Sequence, residues 1–131
     1  IRAAPRRVVI VGHSLAVATT VKWADAASAA DHAKVAGAFL VSPTNVEDPD
    51  PSFDLVRPFA PMPMRPLPFP TFVVASRNDP RVGFTRASEC AIAWGAELVD
   101  VGELDHIGNT MRLGMWPEGL IHLGRLLDRI G

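Results

Sequence analysis

The succession of apolar runs in this 131-residue chain predicts an α/β fold, a parallel sheet of about four strands flanked by helices. Three observations carry that prediction. Four short runs are apolar throughout, as strands covered on both faces are. Helical patterns separate them, which is the connection that parallel neighbours need. Hydrophobic residues make up 48% and charged residues 21%, a balance that suits one packed core, so residues 1–131 are expected to form one domain.

The first run, VVIV at residues 8–11, follows the polar lead-in Arg6-Arg7 and enters an alanine-rich helical stretch, 15–30. The second run is 36–41. Residues 58–70, PFAPMPMRPLPFP, then hold six prolines in thirteen positions. Proline fixes φ and lacks a donor, so this is neither an interior strand nor a helix. Its Phe59, Met62, Met64, Leu67 and Phe69 would be costly to leave in water. An ordered loop laid over the domain is therefore expected, in preference to a free PxxP ligand for a partner. The third strand, 71–75, leads to a helix at roughly 84–94, which Gly95 should end. A fourth strand, 97–101, precedes the last helix, 117–130. Pro117 and Glu118 suit that helix's first turn, and Leu120, Leu123, Leu127 and Ile130 are expected to form its apolar face.

Charge and cysteine usage narrow the function classes. A net charge of −1 with no basic stripe gives no footprint for nucleic acid or an anionic membrane surface. The one cysteine, Cys90, excludes an intrachain disulfide and fits a cytoplasmic setting. No apolar stretch reaches bilayer-spanning length. Cys90 reads as a packing residue, and no HxH or HExxH spacing accompanies Asp79, Asp105 and His106, so no metal and no cofactor is expected.

The chemistry concentrates at Gly12-His13-Ser14-Leu15-Ala16, where a buried strand turns directly into a helix. A serine on such a hinge is lifted out of the sheet at the carboxyl end of a strand, and the residues two before and two after it must be small. Gly12 and Ala16 satisfy that demand. The competing reading of Ser14 is a helix N-cap, a role serine fills well. The sequence order Ser14…Asp79…His106 favours catalysis, because Asp79 and His106 also follow carboxyl ends of predicted strands. Serine alone is a poor nucleophile. His106 would take its proton and Asp79 would orient the imidazole. The N–H of Leu15, at the helix N-terminus, is the expected oxyanion donor. His13 is expected to line the site, and Asn45, Phe59 and Met62 are expected to wall a pocket beneath the proline-rich loop.

With these residues placed, the chain resembles the RBBP9/YdeN-like family of small serine hydrolases in the α/β-hydrolase superfamily. The carriers are VGHSLA, VAGAFLVSP, PLPFPTFVVASRNDP, AWGAELVDVG and DHIGN…GMWPEG, which together span nearly all of the chain. The resemblance implies a hydrolase of small esters or amides, with Ser14 as nucleophile, Asp79 as acid and His106 as base. Two stretches depart from the family pattern. Alanine replaces glycine at Ala16, and Asp105-His106-Ile107-Gly108 stands for the usual Gly-His-Ile-Asn, placing an extra carboxylate beside the expected base. Family members are longer, so the chain is expected to match their C-terminal part, lacking the usual N-terminal strands and the second oxyanion donor. Strand 8–11 would then be an edge open to self-association. A catalytically silent protein of the same fold, acting as a binding or interaction module, is the alternative.

Overall fold

The computed structural model describes residues 1, 3–108 and 111–131 of the chain. Four strands, β1 (Val8–Ser14), β2 (Val35–Pro43), β3 (Thr71–Ala75) and β4 (Glu97–Asp100), form one parallel sheet in the order β1-β2-β3-β4. Between and after them lie helices α1 (Leu15–Ala26), α2 (Ala29–His32), α3 (Phe84–Trp94) and α4 (Pro117–Ile130). The α/β class and the parallel four-stranded sheet are as the sequence predicts. Among the described residues no helix is long and apolar enough to cross a membrane.

Alternate side chains of the central strands divide the core in two. Ala38 and Leu40 of β2 and Val73 of β3 pack with Val17 and Val21 of α1 and Cys90 and Trp94 of α3. Phe39 and Val41 of β2, with Phe72 and Val74 of β3, instead join Leu126 of α4. This is the period-two alternation of a strand with helices on both faces, and it explains why the runs read as apolar throughout.

Besides shifts of one or two residues at the ends of β2 and β4, two boundaries and one helix face differ from the sequence reading. Strand β1 runs on to Ser14, because its ladder with β2 continues through Gly12↔Leu40 and His13↔Val41. Helix α1 stops at Ala26, well before residue 30: Ala27 and Ser28 are extended, and the Ser28 hydroxyl accepts from the Asp31 N–H at 3.2 Å to cap α2. A serine that can cap a new helix ends the old one. Gly95 does end α3, in the left-handed conformation at φ 64°. The third difference concerns α4, whose core-facing stripe is buried Gly119 and Leu126 with half-buried Leu123 and Ile130. Leu120 and Leu127, expected inside, are 52% and 46% exposed, while Leu126 is fully buried.

The proline-rich segment is an ordered loop pinned across α1 and α3. Two 3-10 turns, Pro51–Phe53 and Arg57–Phe59, lead into it. Met62 and Phe69 are buried in the core shared with those helices. The Trp94 indole donates to the Pro63 carbonyl at 2.8 Å, the Leu67 N–H to the Trp94 carbonyl at 3.0 Å, and Lys22 Nζ to the Pro61 carbonyl at 3.2 Å. Tertiary donors thus bond the carbonyls of a segment that cannot build a ladder of its own.

The two stripes of α4 give a direct test. Leu126→Ala is expected to lower unfolding free energy by about 2–5 kcal/mol, the usual cost of a cavity at a fully buried leucine. Leu120→Ala should stay within roughly 0.5 kcal/mol, as surface substitutions do. Urea denaturation of the two variants beside the parent chain measures both.

Candidate active site

The hinge is built by β1 and α1. Gly12 is buried, and a Cβ on it would sit 3.4 Å from the Ala16 carbonyl oxygen, so the two backbones nearly touch across the turn. Ser14 between them takes φ 60° and ψ −124°, a left-handed conformation that L residues rarely adopt. Its side chain makes no capping bond to α1. The N-cap reading therefore fails, and the hydroxyl is turned outward to other partners.

Those partners come from three other strand ends. Beyond β4, His106 Nε2 lies 2.8 Å from Ser14 Oγ. On the other side of the same ring, Nδ1 lies 2.9 and 3.0 Å from the two carboxylate oxygens of Asp79, in the turn after β3. The Asp79 side chain is wholly buried, and its Oδ1 also accepts the Arg81 N–H at 2.8 Å. Beyond β2, Thr44 places Oγ1 3.0 Å from Ser14 Oγ. A carboxylate can only accept, so Nδ1 carries a proton, and in the neutral ring Nε2 then presents a lone pair to the serine hydroxyl. The structure thus brings Ser14, His106 and Asp79 into one hydrogen-bonded line.

The loop bearing His106 is held from both sides. Asp105 and Ile107, its chain neighbours, are both left-handed, at φ 46° and 43°. Asn78 donates from Nδ2 to Asp105 Oδ1 at 2.9 Å and accepts the Asp105 N–H at 2.8 Å. Buried Ser76 donates to Asn78 Oδ1 and accepts the Leu104 N–H, each at 2.8 Å. Ile107 is anchored in the core. The extra carboxylate at Asp105 is therefore engaged in binding the histidine loop to the aspartate loop. His13, exposed beside Ser14, donates from Nε2 to the His106 carbonyl at 2.9 Å, with the two rings 5.0 Å apart. It touches the backbone of His106.

The expected pocket residues are placed mainly by packing. Met62 is 6% exposed within the core, and half-buried Phe59 packs against the same cluster. Asn45 donates to Asp48 Oδ2 and accepts the Glu47 N–H, closing its own turn. The cavity beside the proline-rich loop, about 200 Å³, is lined by residues of that loop with Val21, Ala24, Asp25 and His32, and by none of Ser14, Asp79 or His106. A cleft of about 310 Å³ lies instead along Ile107, Gly108, Arg112, Leu113, Gly114 and Trp116, next in sequence to His106. Leu15 is the first residue of α1, so its N–H has no intrahelical acceptor. Cys90 is buried between helix and loop, and burial pushes its thiol up to about 11. The sequence reading missed Thr44, Asn78 and Ser76. A polar cluster after each strand end was their only local signal.

A family model described as serine hydrolase matches residues 1–125. Among solved structures, a YdeN-like hydrolase from Pectobacterium atrosepticum matches at TM-score 0.82 and 31% identity, covering 98% of this chain and 64% of that one. The esterase domain of a Rhodothermus marinus protein matches at TM-score 0.65 and 16% identity, covering 94% and 62%. A butyrate-bound thermophilic esterase from Thermogutta terrifontis matches at TM-score 0.63 and 20% identity, covering 94% and 56%. The last two likenesses show the fold. The chain spans less than two thirds of the length of these relatives. Among curated proteins none matches.

Removing the Ser76 hydroxyl strands the Leu104 N–H in a part-buried site. Ser76→Ala is accordingly expected to cost about 1–3 kcal/mol, the penalty of an unsatisfied buried donor. Chemical denaturation reads it, and a change within error would show that the histidine loop does not depend on this bond.

Proposed function

This chain belongs to the serine hydrolase family, and from that premise we propose that it hydrolyses small carboxylic esters or amides through an acyl-enzyme on Ser14. The observation that carries the proposal is the unbroken line from Asp79 through His106 to Ser14, with contacts of 2.9 and 2.8 Å.

Each step follows from that line. His106 Nε2 takes the hydroxyl proton as Ser14 Oγ forms its bond to the substrate carbonyl carbon. The carbonyl oxygen gains the negative charge, and the Leu15 N–H at the start of α1 donates to it. Asp79 accepts the Nδ1 proton throughout. It fixes the tautomer and balances the imidazolium without becoming protonated itself. When the intermediate collapses, the bond to the leaving alcohol or amine breaks and His106 returns the proton to it. Water then attacks the acyl-enzyme, giving up a proton to His106; the bond from the acyl carbon to Ser14 Oγ breaks, His106 returns the proton to Oγ, and the acid leaves. The strained, outward hydroxyl and the buried, pre-bonded acid both favour this over a silent fold. A binding module has no need of either.

A fluorophosphonate probe should label the protein at Ser14, and Ser14→Ala should abolish both labelling and hydrolysis of a short-chain p-nitrophenyl ester while keeping the fold. Asp79→Asn should reduce turnover by roughly 10⁴-fold, because the imidazole loses its tautomer control. A wild-type chain that neither labels nor hydrolyses would favour the silent module. A loss below tenfold in Asp79→Asn would move the acid's role elsewhere.

A further inference from the structure

We propose that Thr44 is a catalytic residue of this site: its hydroxyl donates to Ser14 Oγ and holds the partial negative charge that this oxygen carries between losing its proton and completing its bond to the carbonyl carbon. The inference deepens the proposed function and rests on Ser14 being the nucleophile.

The first support is direction. Thr44 Oγ1 and Ser14 Oγ are 3.0 Å apart, and distance alone leaves either as donor. The rest of the line decides it. In the neutral imidazole, the form that can act as a base, Asp79 accepts from His106 Nδ1, so Nε2 accepts and the one proton of Ser14 goes to it at 2.8 Å. Ser14 then has only lone pairs left for Thr44, and the threonine must donate. As His106 draws the proton away ahead of full bonding to the carbonyl carbon, Oγ carries partial negative charge while the Thr44 donor stays in place. A hydrogen bond to an ionised oxygen is roughly twice as strong as a neutral one. The gain therefore arises as charge develops, which is the condition for lowering a barrier.

The second support is how the backbone delivers the hydroxyl. Along the β1–β2 ladder His13 faces Val41, yet Ser14 faces Pro43, so Ser42 is an extra residue on β2. Ser42 is left-handed at φ 47°, and its own buried hydroxyl has no hydrogen-bond partner among the described residues. A strained residue and an orphaned hydroxyl are two costs in one position. Their structural consequence is that the chain turns beyond β2 and sets Thr44, 2% exposed, against the nucleophile. Packing alone would be served as well by valine, which has the same shape.

Rates of fluorophosphonate labelling and of p-nitrophenyl ester hydrolysis test this across Thr44→Val, Thr44→Ala and Thr44→Ser, with thermal unfolding of each as the folding control. The two variants without a hydroxyl should label about 10- to 100-fold more slowly, the range for losing a hydrogen bond to a charged group. The loss should fall in kcat with KM nearly unchanged, and Thr44→Ser should stay close to the wild-type rate. If Val unfolds, the Ala and Ser pair decides. Hydroxyl-free variants that label at the wild-type rate would overturn the inference, as would a serine variant as slow as alanine. A wild-type chain that fails to label at Ser14 would overturn the nucleophile reading instead, and the two failures are separable.

Discussion

Everything at this site hangs on one tight crossing, the approach of the β1 and α1 backbones around Ser14. Strand and helix leave the same point in different directions, and the serine between them occupies φ 60°. The crossing is possible because Gly12 has no Cβ to press on the Ala16 carbonyl at 3.4 Å. Alanine at position 16 is accommodated because its side chain is exposed, away from the crossing. The left-handed turn removes the hydroxyl from the helix, where it would cap, and presents it to His106 and Thr44. A conformation costing on the order of 1–3 kcal/mol persists only where its surroundings over-determine it. Here the surroundings are a seven-residue parallel ladder on one side and the buried face of α1 on the other.

The sheet supplies the convergence. Parallel strands point their carboxyl ends the same way, and in register they bring residues far apart in sequence to one rim. His13 and Ser14 end β1, Ser42 to Thr44 end or follow β2, Ser76 to Asp79 follow β3, and Leu104 to Ile107 follow β4. Each pair of neighbouring loops is stitched by at least one bond: Ser14 to Thr44, Asn45 to Arg81, and Asn78 to Asp105. The His106–Ser14 bond then spans from the fourth strand back to the first. The relay is thus the long closing member of a hydrogen-bonded rim whose shorter members hold the loops in place.

What the sequence made legible follows from which features have local signatures. The strands were readable because burial on both faces leaves an uninterrupted apolar run. The hinge was readable because its sterics demand small residues at fixed offsets. Gly95 and Pro117 mark helix ends through their own backbone limits. The break at Ala27 was hidden, since an alanine-rich run looks helical wherever it goes, and only Ser28 hinted at the new cap. The face of α4 was ambiguous because Leu120, Leu123, Leu126, Leu127 and Ile130 offer two overlapping stripes, and only the packed sheet selects Leu126. Thr44 was invisible for a different reason. Its role depends on a bulge in a strand pairing, and a one-residue offset between two distant segments has no trace in either segment alone.

The distribution of backbone strain connects these points. The non-glycine residues with positive φ among those described are Ser14, Ser42, Asp105, Ile107, Arg112 and Trp116. None lies in a helix interior or at an amino end of a strand. The first two sit where β1 and β2 finish, and the next two flank His106 after β4. Beneath this rim the core has little slack: Leu40, Phe72, Val73, Val74, Leu126 and Trp94 are all at most 1% exposed. Strain at functional positions must be offset by ordinary packing elsewhere. In this chain the strained residues gather at and beyond the carboxyl ends of the strands, and Ile107 and Trp116 tie them to the apolar layer that packs with α4. That anchoring is why the hydroxyls of Ser14 and Thr44 can be held within bonding distance by a backbone that neither segment would choose on its own.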